Sequence, residues 1–545
     1  FFPKQTDYSS FSELLKTQRL SIRDEERREY GDYQTPDRLT DEVCMFIKGD
    51  IQPKVLIEPT FGKGSFILSA LKNLLSLKYI FGVEIHEQYV WHSKFRILEY
   101  FVENPDSNKP SIFLFNADVF DFDWKVIRDT SQESLLVLGN PPWVTNAELS
   151  SLGSSNIPRK SNFKRHKGLD AITGKGNFDI GEFVVLTMLN EFSGVPGSMA
   201  MLLKNSVVKN LVYDLRKTNY KISDLRSFSF DAKEHFTASV EASLFTCKFN
   251  HVQSDFVCSE YDLSKPSVVE KSFGWIKDKF VSNLILYQTS AKYDGECPFE
   301  WRQGVKHDNS KIFEMTKIGD KLYNGFDEEV CVEEERIFGI VKSSDLKGHI
   351  ISKPRKYVLI TQTYLGEDTL SLAEKFPMLF TYLNSKQEFL KNRKSAIYAN
   401  KPDFSIFGIG GYSFKPFKVA ISGLYKSPSF TLILPENNKP LMLDDTCYFL
   451  GFDQLSDAVF AWLLLKDRQT LDLLKCIIFE DAKRPYTKEI LMRIALDEIA
   501  SDIGFDVIAS QLEELQQQFD DTFDYEDWES FLEKMKRHQE QLALF

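Results

Sequence analysis

From residue 31 to about 255 the chain alternates short apolar runs with stretches whose apolar positions recur at helical spacing. Val55 to Ile57, Tyr79 to Val83, Ser111 to Phe115, Leu135 to Leu138, Ser198 to Leu203, Arg226 to Phe230 and Ala242 to Phe249 read as strands. Phe66, Ile67, Ala70, Leu71, Leu74 and Leu75 share one helical face, and Val184, Val185, Leu186 and Leu189 share another. Helices are also expected over Asp37 to Ile47 and His86 to Tyr100. This alternation predicts a doubly wound α/β sheet for residues 31–255. Residues 1–30 are polar, with a charged run from Arg23 to Glu29, and suit a solvated helical segment. Beyond residue 256 the helical period fades into short β-like runs rich in Gly, Pro and Tyr, so a mixed α+β domain is expected to residue 500. Helical spacing returns within it at Val459, Leu463, Leu464, Leu471, Leu474 and Ile478. Residues 501–545 read as an acidic helical tail, carrying Asp520, Asp521, Asp524, Glu526, Asp527 and Glu529.

The first four strands each run into a polar residue. In open α/β sheets that edge is where ligands sit. Glu58 opens a turn, Glu58-Pro59-Thr60-Phe61-Gly62-Lys63-Gly64-Ser65, in which Gly62 and Gly64 allow close backbone approach. The turn is neither Gly-x-Gly-x-x-Gly nor a phosphate loop ending in Gly-Lys-Ser/Thr, so dinucleotide and ATP sites lose weight. An acid ahead of the turn disfavours a pyrophosphate and suits a ligand bearing an ammonium. Glu84 is placed to accept from ribose hydroxyls, or simply to cap the helix after it. Asp118 can accept from an adenine amino group, with Val119 or Phe120 against the ring. The fourth strand delivers Asn140-Pro141-Pro142-Trp143. Two prolines fix φ and remove two backbone donors, giving a stiff loop. The Asn140 side-chain oxygen and the Pro141 carbonyl can accept both hydrogens of an exocyclic amine, while Trp143 stacks on its ring. Taken alone, any Asn-Pro-Pro is more commonly a rigid turn. Upstream, Gly31-Asp32-Tyr33-Gln34-Thr35-Pro36 leads into the first helix, whose N-terminus suits a carboxylate or needs only an N-cap.

Composition sets limits on this picture. At 545 residues, 43% hydrophobic and 27% charged, the chain is long enough for two or three domains. The net charge of -12 argues against non-specific coating of nucleic acid but allows a locally basic cleft. Seven scattered cysteines suggest a reducing compartment, with neither a disulfide frame nor a metal site. The run Ala458 to Leu465 is too short to span a bilayer, and no secretory leader is read, so a cytoplasmic protein without membrane association is expected.

The ordered set Gly-x-x-x-Thr-Pro, Glu-Pro-x-x-Gly-x-Gly, a strand-end Glu, an Asp and Asn-Pro-Pro-Trp resembles the gamma-class DNA adenine-N6 methyltransferases, over roughly residues 30–250. The resemblance implies a Rossmann-like methyltransferase sheet and S-adenosylmethionine as cofactor. It puts Thr35 and Pro36 by the methionine carboxylate, Glu58, Gly62 and Gly64 around the methionine, and Glu84 on the ribose. Ile85 would lie against the cofactor adenine and Asp118 on its amino group. Where the family often has an aromatic after Asp118 this chain has Val119, so stacking passes to Phe120. Asn140, Pro141 and Trp143 would hold a flipped target adenine, with Phe236, or second Phe230, on its other face.

The resemblance also makes the C-terminal part a target-recognition domain on double-stranded DNA. The Gly/Ser/Asn-rich segment 150–178 carries Lys160, Lys164, Arg165 and Lys167, expected on phosphates. Arg302, Gln303, Lys306 and Arg393 are named as base or phosphate contacts, although a surface role suits any one of them. The expected enzyme is a monomeric, site-specific, adenine-specific DNA methyltransferase with no metal. It would act in restriction–modification or phage defence, beside a cognate endonuclease or another defence subunit. The alternatives are methylation of protein glutamine or an RNA guanine amine, a nuclease using Asp481-Ala482-Lys483, and a non-catalytic specificity subunit.

Overall fold

The computed structural model describes residues 34–130, 133–144, 179–231, 241–251, 255–393, 395–519 and 521–542, with Ser9, Ser10 and Glu13. Lys160, Lys164, Arg165, Lys167 and Phe236 lie outside the described residues, as does nearly all of segment 1–30. The chain divides into two compact units, Phe1–Leu284 and Ile285–Phe545.

The first unit is organised by a ten-stranded sheet. Its strands are β1 (Val55–Glu58), β2 (Tyr79–Glu84), β3 (Ser111–Asn116), β4 (Leu135–Gly139), β5 (Gly197–Lys204), β6 (Ile222–Ser229), β7 (Ala242–Phe249), β8 (Val257–Asp262), β9 (Lys265–Ile276) and β10 (Lys279–Val281). Across the sheet the order is β10-β9-β8-β6-β7-β5-β4-β1-β2-β3. The block from β3 to β5 is parallel, and β7 runs antiparallel between β5 and β6. The order reverses beside β1, so β1 and β4 open a crevice at their carboxyl ends.

All four residues of β1 and all five of β4 are buried, which is why their sequences run apolar without alternation. Helices α1 (Asp37–Asp50), α2 (Ser65–Asn73) and α3 (Glu87–Glu103) cover one face through Leu39, Val43, Phe66, Ile67 and Ile97. Each such fully buried aliphatic side chain contributes about 1.5–3 kcal/mol. Gly82 is required by close approach: a Cβ there would meet the Phe61 ring at 2.7 Å. Helices α4 (Lys125–Thr130), α5 (Ile180–Phe192) and α6 (Asn205–Asp214) follow in chain order.

The change of character at residue 256 does not mark the edge of this unit. Strands β8 to β10 continue its sheet, β8 pairing with β6 and β9 with β8. Their mixed Lys, Ser and Glu content reflects exposure, with seven consecutive exposed positions in β9.

The second unit holds two five-stranded sheets. One is built on the antiparallel pair Phe417–Ser422 and Cys447–Phe452, the other on Ile337–Val341 and Lys356–Leu359. The acidic tail belongs to this unit. Helices Leu496–Phe519 and Tyr525–Leu542 pack on Leu455–Lys466. Lys534 Nζ lies 2.7 Å from Asp457 Oδ2, and the Phe460 ring meets Trp528 at 5.3 Å. Among the described residues no helix is long and apolar enough to cross a membrane, and no cluster of His, Cys, Asp or Glu is arranged to hold a metal ion.

Candidate active site

The carboxyl ends of β1 to β4 border an open cleft lined by Glu84, Asp118 and Asn140 among others. Its wall is assembled from far-apart segments. Gly62 lies in the turn after β1 with φ 52°, a left-handed backbone that favours glycine, and a Cβ there would strike Gln34 Oε1 at 2.8 Å. Gln34 Oε1 accepts from Lys63 N at 2.9 Å, tying the segment before α1 to the turn. Gly64 caps α2 with φ 76° and abuts Ser93, but does not line the cleft.

Glu84 is the hub of this wall. Its Oε2 accepts from Gly62 N and its Oε1 from His86 N, both at 2.9 Å. Ile85, Asp118, Val119 and Phe120 line the cleft beside it. Asp118 Oδ1 accepts from Phe120 N at 2.9 Å, and the Phe120 ring is braced edge-on by Phe183 at 4.7 Å. Glu58 is buried under the wall rather than exposed in it. Burial, then the neighbouring Glu84 charge, holds its carboxyl well above the usual range. Glu58 Oε2 and Thr60 Oγ1 are buried with no hydrogen-bond partner among the described residues. Arg96 pins the first turn of α1 to the same loop, reaching both Asp37 oxygens at 2.8 and 3.0 Å and Lys63 O at 3.2 Å. Pro36 is the N-cap of α1.

Asn140 and Pro142 line the cleft, while Pro141 is buried behind them. Asn140 Nδ2 donates to Thr35 Oγ1 at 3.1 Å, and its Oδ1 is buried. Trp143 goes elsewhere than expected. Its indole is 6% exposed, belongs to the hydrophobic core with Leu138 and Leu202, does not line the cleft, and donates to Leu202 O at 3.4 Å. Phe230, the second choice for the opposite face, packs against the same core.

The chain is 35% identical over 477 residues, 87% of its length and 98% of the relative's, to the type II methyltransferase M.NspV of Nostoc sp. (strain ATCC 29411 / PCC 7524). The chain belongs to the type II methyltransferases. No family model matches it. Among solved structures, the type IIL restriction–modification enzyme MmeI in complex with DNA aligns with 98% of this chain and 75% of its own, at 12% identity and TM-score 0.49. The type I restriction–modification methyltransferase subunit from Streptococcus thermophilus aligns with 42% of this chain and 47% of its own, at 20% identity and TM-score 0.29. Neither likeness bears on function.

In this type II methyltransferase the four C-terminal residues singled out from sequence, three cations and Gln303, are engaged within the second unit. Arg302 pairs with Glu300 and stacks on Tyr412 at 4.8 Å. Gln303 donates to Asp445 O, and Lys306 lies between Asp308 and Asp445. Arg393 stacks on Tyr398 at 3.7 Å and donates to the carbonyls of Leu390, Ser405 and His307. That is a structural staple for the loop it sits on. The methyltransferase cleft also uses Gln34, His86, Tyr89, Ile180 and Val184, which sequence reasoning missed. Only Gln34 carried a signal, as the neighbour of Thr35 in the turn before α1.

Proposed function

We propose that this type II methyltransferase transfers a methyl group from S-adenosylmethionine to N6 of an adenine flipped out of double-stranded DNA, in a restriction–modification setting with a cognate endonuclease. The observation that carries the reading is the placement of Asn140: it lines the cleft at the end of β4, with its amide nitrogen bonded to Thr35.

The residues present fit the cofactor. Gly62 lines the cleft with backbone alone, Glu84 and Asp118 offer carboxylates suited to ribose hydroxyls and an amino group, and Phe120 offers an aromatic face. The orphaned acid at Glu58 and hydroxyl at Thr60 suit a cationic amino-acid moiety. When bound, S-adenosylmethionine supplies an electrophilic methyl carbon on a sulfonium.

The chain's own part is to make a poor nucleophile competent. The lone pair of an adenine amine feeds the ring. Acceptance of both amine hydrogens by Asn140 Oδ1 and the Pro141 carbonyl favours a tetrahedral nitrogen and aims its lone pair at the methyl carbon. After in-line transfer the cationic nitrogen loses a proton to water, so no general base is required. Unstacking the base costs a few kcal/mol, offset by pocket contacts. Trp143, as placed here, serves by fixing the loop; a stacking role requires its indole to leave the core. Tritiated methyl transfer compared across duplex DNA, RNA and protein tests the acceptor. Counts in DNA support the reading, and counts in protein or RNA with DNA blank overturn it.

A further inference from the structure

The end of β5 overhangs the end of β4. Gly139, the last residue of β4, pairs with Met201, so Leu202 to Lys204 project beyond it at the level of the Asn140–Val144 loop, held from the far side by β7. Two anchors run from this overhang to the loop. One is the Trp143 Nε1 bond to Leu202 O. The other starts at Lys204. Its Nζ lies 2.6 Å from Asp179 Oδ2, in a pair whose side chains are only 14% and 9% exposed. Asp179 is the N-cap of α5, with Oδ1 accepting from Gly181 N at 2.9 Å. The next residue, Ile180, donates its N–H to Val144 O at 2.9 Å and lines the cleft beside Asn140 and Pro142. Gly181 leaves the contact close: a Cβ there would come within 3.2 Å of Pro142 O and 3.4 Å of Pro141 Cγ.

We propose that Lys204 is a positioning residue for methyl transfer, acting through Asp179 and the first turn of α5 to hold the Asn140–Val144 loop in register with the cleft. The inference rests on the reading of that loop as the amine-holding corner. A buried pair of opposite charges adds little net stability over an apolar substitute, since desolvation offsets much of the attraction. What it does add is a fixed distance between the β5 overhang and the α5 cap. Prolines make the loop rigid but not located; the cap locates it. Misplacement of a reacting group by about 1 Å is worth on the order of a hundredfold in rate.

The test uses the full chain as wild type, Lys204→Met, Lys204→Arg and Asp179→Asn. S-adenosylmethionine affinity is measured by calorimetry, kcat and KM on the acceptor found for the wild type, and Ile180 amide protection by hydrogen exchange. Lys204→Met is expected to lower kcat by roughly ten- to a hundredfold, with cofactor Kd within about twofold. Its Ile180 amide should exchange faster. Asp179→Asn, which keeps a capping oxygen but loses the charge, should reproduce the kcat loss, and Lys204→Arg should restore most of the activity. Unchanged kcat in Lys204→Met or Asp179→Asn overturns the proposal, as does a loss confined to KM. If Lys204→Met does not fold, Asp179→Asn and Lys204→Arg still decide it, because a falling kcat in the first and a retained kcat in the second are both required. If the wild type methylates something other than DNA adenine, the function reading fails while the Lys204 comparison is read on that other acceptor.

Discussion

Asn140 and Thr35 stand 105 positions apart in the chain, yet the amide of the first donates to the hydroxyl of the second at 3.1 Å. That bond ties the loop after β4 to the segment before α1. Thr35→Val should lower single-turnover methyl transfer about tenfold, near the worth of one neutral hydrogen bond. Asn140→Ala should lower it by about 10²–10³. Both should bind S-adenosylmethionine nearly as well as wild type by calorimetry. The double variant should be no slower than Asn140→Ala, because Thr35 acts through Asn140.

Glu84 does two jobs with one carboxylate, accepting from Gly62 N and His86 N while facing the cleft. Glu84→Ala therefore orphans two backbone donors and, under the proposed function, removes a ligand contact. Cofactor Kd should weaken by about a hundredfold or more, and the fold should lose about 1–3 kcal/mol. Denaturant unfolding alongside calorimetry separates the two effects.

Under the proposed function, Glu58 should make cofactor binding pH-dependent. Its carboxyl is held well above the usual range by burial and then by Glu84. A cation arriving beside it favours the ionised form, so binding should release a proton. Affinity then strengthens as pH rises toward the raised pKa and levels off above it, with log Kd falling by up to about one per pH unit. Calorimetry in buffers of different ionisation enthalpy reads the proton directly. Glu58→Gln should flatten the profile, and a flat wild-type profile would refute the linkage. The raised pKa also means that ionised Glu58 costs the free protein stability as pH climbs from the unfolded value toward the folded one. Glu58→Gln should accordingly raise the apo melting temperature at pH 8 and lose that advantage near pH 4.

Much of the site could be read along the chain because its parts lie at strand ends in a fixed order. Glu84, Asp118 and Asn140 each follow an apolar run, and a strand's exit edge is common to all parallel neighbours. Trp143 could not be placed that way. A large aromatic after two prolines suits a cleft or a core equally, and only the distance to Leu202 O decides. The Asp179–Lys204 pair was invisible for a related reason: it joins a helix cap to a strand end through space, with no periodic signal. The sheet beyond residue 256 was hidden by its own exposure, since β9 lacks the alternation that marks a half-buried strand. Arg393 shows the converse ambiguity, in which a cation on a basic stretch suggests phosphate while its Nε and Nη1 donate to carbonyls.

Arg393 therefore separates a structural role from a DNA contact. Arg393→Ala should destabilise the second unit by about 1–3 kcal/mol, read as a shifted denaturant midpoint. At temperatures where the variant stays folded, the slope of log affinity for DNA against log salt should match wild type, whereas loss of a phosphate contact would reduce it by about one.

The most direct test is chemical. The full chain is incubated with S-adenosylmethionine bearing a deuterated methyl group and duplex DNA of mixed sequence, and the DNA is digested to nucleosides for mass spectrometry. The account predicts labelled N6-methyl-2′-deoxyadenosine with the wild type and none above background with Asn140→Ala. Label on cytosine, or N6-methyladenine at wild-type levels from Asn140→Ala, would contradict it.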